Sequence, residues 1–139
     1  MKAHVSYLSK TGITRKYASE IDAFLRANQI KSVMQNIYDA DPADTNEADL
    51  VLLGAWCHGL FILLQHPDKP WAVFARQLPD LSGKKVALFT TYKLATGSMF
   101  RKMQKQLKLG ENQPVEIFKS KIGSLSEDDK KRLLEWVKS

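Results

Sequence analysis

The sequence predicts an α/β fold, a three-layer sandwich in which helices cover both faces of a five-stranded parallel sheet. Three observations carry this. Short apolar runs alternate with amphipathic stretches along the chain, the pattern of repeated strand–helix–strand units. One run, Leu50 to Ala55, is apolar throughout, as in a central strand buried on both faces. The 139 residues, 44% hydrophobic and 26% charged, suffice for one packed core and leave no room for a second. A single domain across 1–139 is therefore expected.

Taken in order, the first strand is Ala3 to Leu8, followed by a hydroxyl-rich loop. A helix runs from about Thr14 to Ala27, because Tyr17, Ala18, Ile21, Phe24 and Leu25 recur on one face. Lys31 to Tyr38 is a less hydrophobic strand and suits a sheet edge. Asp39 to Glu47, rich in acids and holding Pro42, reads as a loop or short helix. Leu50 to Ala55 is the third strand. Asp68 before Lys69-Pro70 caps a helix to about Leu78, with Pro at its first position. Lys85 to Tyr92 is the fourth strand, Ser98 to Leu109 a helix, and Val115 to Ser120 the fifth strand. Ser126, with acids at 127–129, caps the last helix.

Composition excludes several classes. The longest apolar run, Leu60 to Leu64, is five residues, far below the roughly 20 of a membrane span. The start of the chain carries no secretory apolar region, and the lone Cys57 favours a reducing setting, so a cytoplasmic protein without membrane contact is expected. The formal charge is +6, unevenly placed: residues 1–83 carry 8 basic and 9 acidic side chains, residues 84–139 carry 13 and 6. Arg101, Lys102, Lys105 and Lys108 form one stripe on the predicted helix from Ser98 to Leu109. Nucleic-acid binding calls for aromatics among the basic groups, and only Phe100 lies there, so no nucleic-acid partner is expected.

Ligands of open α/β sheets bind beyond the carboxyl ends of the strands, where strand order reverses. Three loops matter there. Ser9-Lys10-Thr11-Gly12-Ile13, leading into Thr14, offers backbone N–H groups and a helix dipole to a phosphate. The hydroxyls of Ser9, Thr11 and Thr14 add donors, and Gly12 permits close approach. The loop lacks G-x-x-x-x-G-K-[ST] and G-x-G-x-x-G, so a monophosphate suits it better than a nucleoside triphosphate or dinucleotide. The rival reading is a Ser/Thr-rich helix cap with no ligand. After the third strand comes Ala55-Trp56-Cys57-His58-Gly59-Leu60-Phe61, where Trp56 stands beyond a buried strand, partly wet or packed under the loop. After the fourth, Thr91-Tyr92-Lys93 leads to Gly97.

From Val5 the chain reads V-S-Y-L-S-K-T-G-I-T-R-K-Y-A-S-E-I. It resembles the flavodoxin signature: Val5, Tyr7, Ser9, Gly12, Thr14, Ala18 and Ile21 match, and Ser6 departs from a usual hydrophobic position. The resemblance spans essentially the whole chain, in the short-chain layout. It implies strand order 2-1-3-4-5 and an FMN-binding electron-transfer protein. It places the FMN phosphate on Ser9, Lys10, Thr11, Gly12, Ile13 and Thr14. It clamps the flavin ring between Trp56 and Tyr92, with Ala55, Cys57, His58, Gly59, Thr91, Lys93 and Gly97 around it. The Gly59 peptide would turn toward flavin N5. The loop after the fourth strand lacks the family's G-x-G-D pattern.

Other constellations fall short. Cys57, His58 and His66 have no carboxylate at ligand spacing for a closed metal site. Adjacent Cys57 and His58 seldom present both side chains to one substrate. His58 as a proton donor beside the flavin stays open. A phosphorelay receiver needs acids where this chain has Leu8-Ser9 and Gly54-Ala55. The same fold also admits an FMN-dependent reductase of quinones or other small molecules, and a flavin-free binding or regulatory module. The family it resembles is usually acidic; the positive charge here points to a redox partner with an acidic docking surface and a less negative flavin potential. The oligomeric state is left open.

Overall fold

A computed structural model describes residues 1–57, 67–93 and 95–139 of the chain. Five strands, β1 (Lys2–Leu8), β2 (Lys31–Asn36), β3 (Leu50–Trp56), β4 (Lys85–Thr91) and β5 (Val115–Ser120), form one sheet. Every neighbouring pair is parallel and the order is β2-β1-β3-β4-β5. Four helices join them: α1 (Ile13–Ala27), α2 (Lys69–Arg76), α3 (Met99–Gln104) and α4 (Glu127–Lys138), with a 3-10 helix at Pro42–Glu47. This is the α/β sandwich expected, with β2 at an edge and β3 in the centre.

Alternation along the strands sorts the core into two layers. Leu50 and Leu52 point with Val5, Ala87, Phe89 and Phe118 toward Tyr17 and Ile21 of α1 and Leu133 and Trp136 of α4. Val51, Leu53 and Ala55 point the other way with Val86 and Leu88, toward Trp71 and Phe74 of α2 and Met99 and Met103 of α3. Each face of β3 is thus buried by its own helix pair, which explains an apolar run without polar interruption. Gly54 is the exception in side-chain size. It lies between Tyr7 on β1 and Phe89 on β4, and a Cβ there would fall 2.0 Å from the Phe89 ring. The missing side chain is the space Phe89 uses to lie edge-on to Tyr17, ring centroids 5.8 Å apart.

Three boundaries differ from expectation. β2 ends at Asn36 rather than Tyr38 because Asn36 turns the chain: its side-chain oxygen accepts the Tyr38 N–H at 3.0 Å and its carbonyl those of Asp39 and Ala40. Pro70 occupies the second helical position of α2, after Lys69, and the helix closes at Arg76. α3 stops at Gln104, five residues short of Leu109. Beyond it Lys108 leaves the helical path: its carbonyl accepts the Leu81 N–H, and its ammonium donates to Arg76 O at 2.6 Å and Leu78 O at 2.8 Å. The expected basic stripe therefore does not form as one helical row.

Lys108 is one of three lysines that close backbone carbonyls at the amino ends of the strands. Lys84 donates to Asn46 O and Ala48 O at 3.0 and 2.6 Å. Lys85 reaches the last turn of α4, donating to Trp136 O, Val137 O and Ser139 O. Helix carboxyl termini leave orphan carbonyls and a partial negative charge, and ammonium groups satisfy both. Part of the positive excess in residues 84–139 is thus engaged in holding the fold. Among the described residues no helix is long and apolar enough to cross a membrane.

Candidate functional site

The carboxyl ends of β1, β3 and β4 gather those predicted site residues that are described. α1 opens on Gly12, whose φ of +94° lies in the left-handed region that favours glycine. A Cβ there would meet nothing within 4 Å, so conformation rather than crowding selects the residue. The Gly12 N–H donates to Ser9 Oγ at 3.0 Å, which folds the loop back on itself. The helix has no side-chain cap. Its first-turn amides and positive dipole end therefore face outward beside the exposed Lys10, Thr11 and Ile13.

Thr14 has a different position from its loop neighbours. It is buried, and its hydroxyl shares a 2.6 Å hydrogen bond with that of Thr91, also buried. The pair ties the start of α1 to the end of β4. A parallel tie sits one register step away, where the Thr90 hydroxyl donates to Ala55 O at 2.6 Å. The Cys57 N–H donates to Thr91 O at 2.8 Å. The start of α1 and the ends of β3 and β4 are thereby tied to one another.

Trp56 pairs with Thr91 in the register, so Trp56 and Tyr92 leave neighbouring strands one residue apart. Both are half-buried. Lys10 holds its ammonium over the Trp56 ring, 4.8 Å from the centroid. Lys119 and Lys121 place theirs 5.9 and 5.7 Å from the Tyr92 centroid. Such contacts are worth roughly 0.5–1 kcal/mol at exposed sites. Sequence reading missed Lys119 and Lys121, because nothing in the spacing of β5 shows that its end curls beside Tyr92. The Tyr92 N–H donates to Ser120 O at 3.3 Å and makes that connection.

Cys57 is half-buried and its thiol faces Ala95 O at 3.7 Å. Burial pushes its pKa up to about 11, against a weaker opposite pull from Lys102. A raised pKa keeps the thiol protonated near neutral pH and disfavours a nucleophilic role. Lys93 and Gly97 are exposed on the β4–α3 loop. His58 and Gly59 lie outside the described residues, as do Leu60, Phe61 and His66. Among the described residues no three His, Cys, Asp or Glu side chains are grouped to hold a metal ion. A surface cavity of about 490 Å³ lies elsewhere, between Tyr38 and Val73, and gathers no titratable cluster.

The donor set suits an anion bearing a planar ring. It combines hydroxyls, outward-facing amides and ammonium groups around two aromatic rings. Residues 9–16, 91–97 and 117–126 contain no carboxylate.

Comparison with known proteins identifies the family and the fold. The model of the flavodoxin domain matches residues 4–128. The flavodoxin of Megasphaera elsdenii is 32% identical over 93 residues, which is 67% of this chain and 66% of that relative, just under two thirds of its length. Among solved structures, oxidised flavodoxin 2 of Bacillus cereus superposes with a TM-score of 0.73 at 20% identity over 99% of both chains. The two-electron reduced Megasphaera elsdenii flavodoxin gives 0.71 at 22% identity, again over 99% of both. A Fusobacterium nucleatum flavodoxin variant bound to flavin mononucleotide gives 0.63 at 16% identity, over 99% of this chain and 94% of that one. The structural likenesses speak for the fold, and the match over residues 4–128 speaks for descent: the chain belongs to the flavodoxin domain family.

Proposed function

We propose that the chain, working as a single cytoplasmic domain, binds FMN at the carboxyl end of its sheet and carries electrons to a partner protein with an acidic docking surface. The observation that carries this reading is the uncapped amino end of α1, set behind Ser9 and Gly12 and beside two half-buried rings. The Ser9 to Ile13 loop, with the first amides of α1, would take the phosphate. Thr14 supports that loop from below through Thr91, and Trp56 and Tyr92 would hold the two faces of the ring. Ala55, Cys57, His58, Gly59, Thr91, Lys93 and Gly97 would border it.

Bound FMN supplies the redox chemistry; the residues set its position, its exposure and its charge environment. Lys10, Lys119 and Lys121 put positive charge at the rings, and Lys93 follows Tyr92 directly. Nearby cations favour a negatively charged form. The second reduction step is therefore expected at a less negative potential than in flavodoxins with acidic surroundings. A redox titration giving an equal or more negative value contradicts this.

The aromatic clamp is tested by replacing Trp56 and Tyr92 separately with Ala and titrating each variant with FMN. Stacked aromatic contacts contribute roughly 1 kcal/mol beyond burial, so affinity should drop at least several-fold in each. Wild-type affinity in both variants would make the rings structural. Riboflavin, which lacks the phosphate, should bind far more weakly than FMN if the α1 loop holds that group.

A further inference from the structure

The turn between β5 and α4 is built as a presented surface. Ser120 Oγ accepts the N–H groups of Ile122, Gly123 and Ser124 at 3.3, 2.9 and 3.1 Å, which folds the turn around one hydroxyl. Lys16 of α1 holds it from the other side, its ammonium donating to Ile122 O and Ser124 Oγ, both at 3.3 Å. Gly123 sits against Ile13, where a Cβ would lie 3.1 Å from Ile13 Cγ2. The backbone is thus fixed, and yet it displays Ile122 with 67% of its surface in water and, beside it, Ile13 with 39%. Two exposed aliphatic side chains on a rigid frame are not explained by the packing of the core.

The two segments that carry them have charges of one sign. Lys10, Arg15, Lys16, Lys119 and Lys121 all lie in these two segments and all are exposed. Neither segment, 9–16 or 117–126, contains an acid. The neighbouring Glu20 is turned inward to accept the Leu125 N–H at 2.9 Å. An aliphatic centre within a rim of cations matches the layout of a small interface, with an apolar core and a charged edge.

We infer that Ile13 and Ile122, ringed by these cations, form the docking face for an acidic redox protein. This inference rests on the electron-carrier reading, and it adds which residues receive the partner. Lys119 and Lys121 also lie over Tyr92, so a protein seated on this face would approach the edge of the proposed flavin site. Rim cations steer encounter and fix orientation, and the effect is screened by salt.

The test is an amide NMR titration of the full chain with an acidic [2Fe–2S] ferredoxin at low salt, run with and without FMN, and with basic cytochrome c as the opposite probe. Shifts confined to residues 9–16 and 119–124 are expected, fading as salt is added. Neutralising both Lys119→Gln and Lys121→Gln should weaken ferredoxin binding about tenfold, and Ile122→Ser about threefold. Neutralising Lys31 and Lys138, away from these segments, should change it less than about twofold. All of these side chains are exposed, and the amide spectrum itself reports whether each variant is folded. No ferredoxin binding, shifts centred elsewhere, tighter binding of cytochrome c, or an unaffected double variant would each overturn the inference. FMN binding is read separately by fluorescence quenching. Loss of the flavin reading is therefore distinguishable from loss of the docking face, which the flavin-free titration maps by itself.

Discussion

Lysines at the two ends of the sheet do opposite work. At the amino ends of the strands, the ammonium groups of Lys84, Lys85 and Lys108 close carbonyls of loops and helix ends, with seven hydrogen bonds among them. At the carboxyl ends, Lys10, Lys119 and Lys121 lie over aromatic rings and leave their charge in water. The first group stabilises the fold, whereas the second shapes a field around the proposed site. Net charge cannot separate the two. Residues 84–139 carry the basic excess, but part of it is spent on carbonyls and on the Arg132 pairs with Glu116 and Asp129. Lys10, Arg15 and Lys16, by contrast, come from the half that is slightly acidic.

The sharpest way to probe the carboxyl end as a packed structure is Gly54→Ala. The added methyl meets the Phe89 ring, and overpacking of a filled core should cost about 3 kcal/mol, read by urea denaturation. A loss under about 0.5 kcal/mol would mean that Phe89 moves aside freely. At the amino end, Lys85→Met keeps the aliphatic stem and removes the ammonium. Losing charged hydrogen bonds to the last turn of α4 should destabilise by about 2 kcal/mol, discounted for partial exposure. If Lys85→Met melts like the wild type, the contrast between the two groups of lysines fails.

Acidity offers a third comparison. His4 on β1 is buried, with Nδ1 3.0 Å from the Ser6 hydroxyl and Nε2 3.3 Å from Gln35 Oε1. Burial holds its pKa below the ordinary 6.5, against smaller opposite effects from Gln35 and Asp44. Between the lowered folded value and 6.5 the unfolded chain binds the extra proton, so stability is complete above that window and falls as pH drops through it. His4→Gln should flatten that slope; an unchanged slope would place the titration elsewhere. The smallest effect belongs to Lys121→Gln. It should change stability by less than about 0.5 kcal/mol, although it borders the proposed site.

Much of the fold was legible because its signals are local. β5 lies at Val115–Ser120 as expected, and Ser126 accepts the Asp129 N–H as a cap should. Alternating and continuous apolar runs survive folding because burial rewards them directly. What was not legible depends on partners distant in sequence. The end of α3 is decided by Lys108 meeting Arg76 and Leu78, about 30 residues away. The end of β2 had a local clue in Asn36, whose turn-forming side chain the apolar neighbours Ile37 and Tyr38 masked. At the site, the Ser9–Thr14 loop was readable from hydroxyls, glycine and a following helix. The buried Thr14–Thr91 bond and the lysines over Tyr92 were not, since both are products of the strand order.

The central claim is that the carboxyl end of the sheet is an FMN site. Titrating FMN with the purified chain and following flavin fluorescence tests it most directly. The account predicts quenching that saturates at one FMN per chain; unquenched fluorescence at micromolar FMN and protein would contradict it.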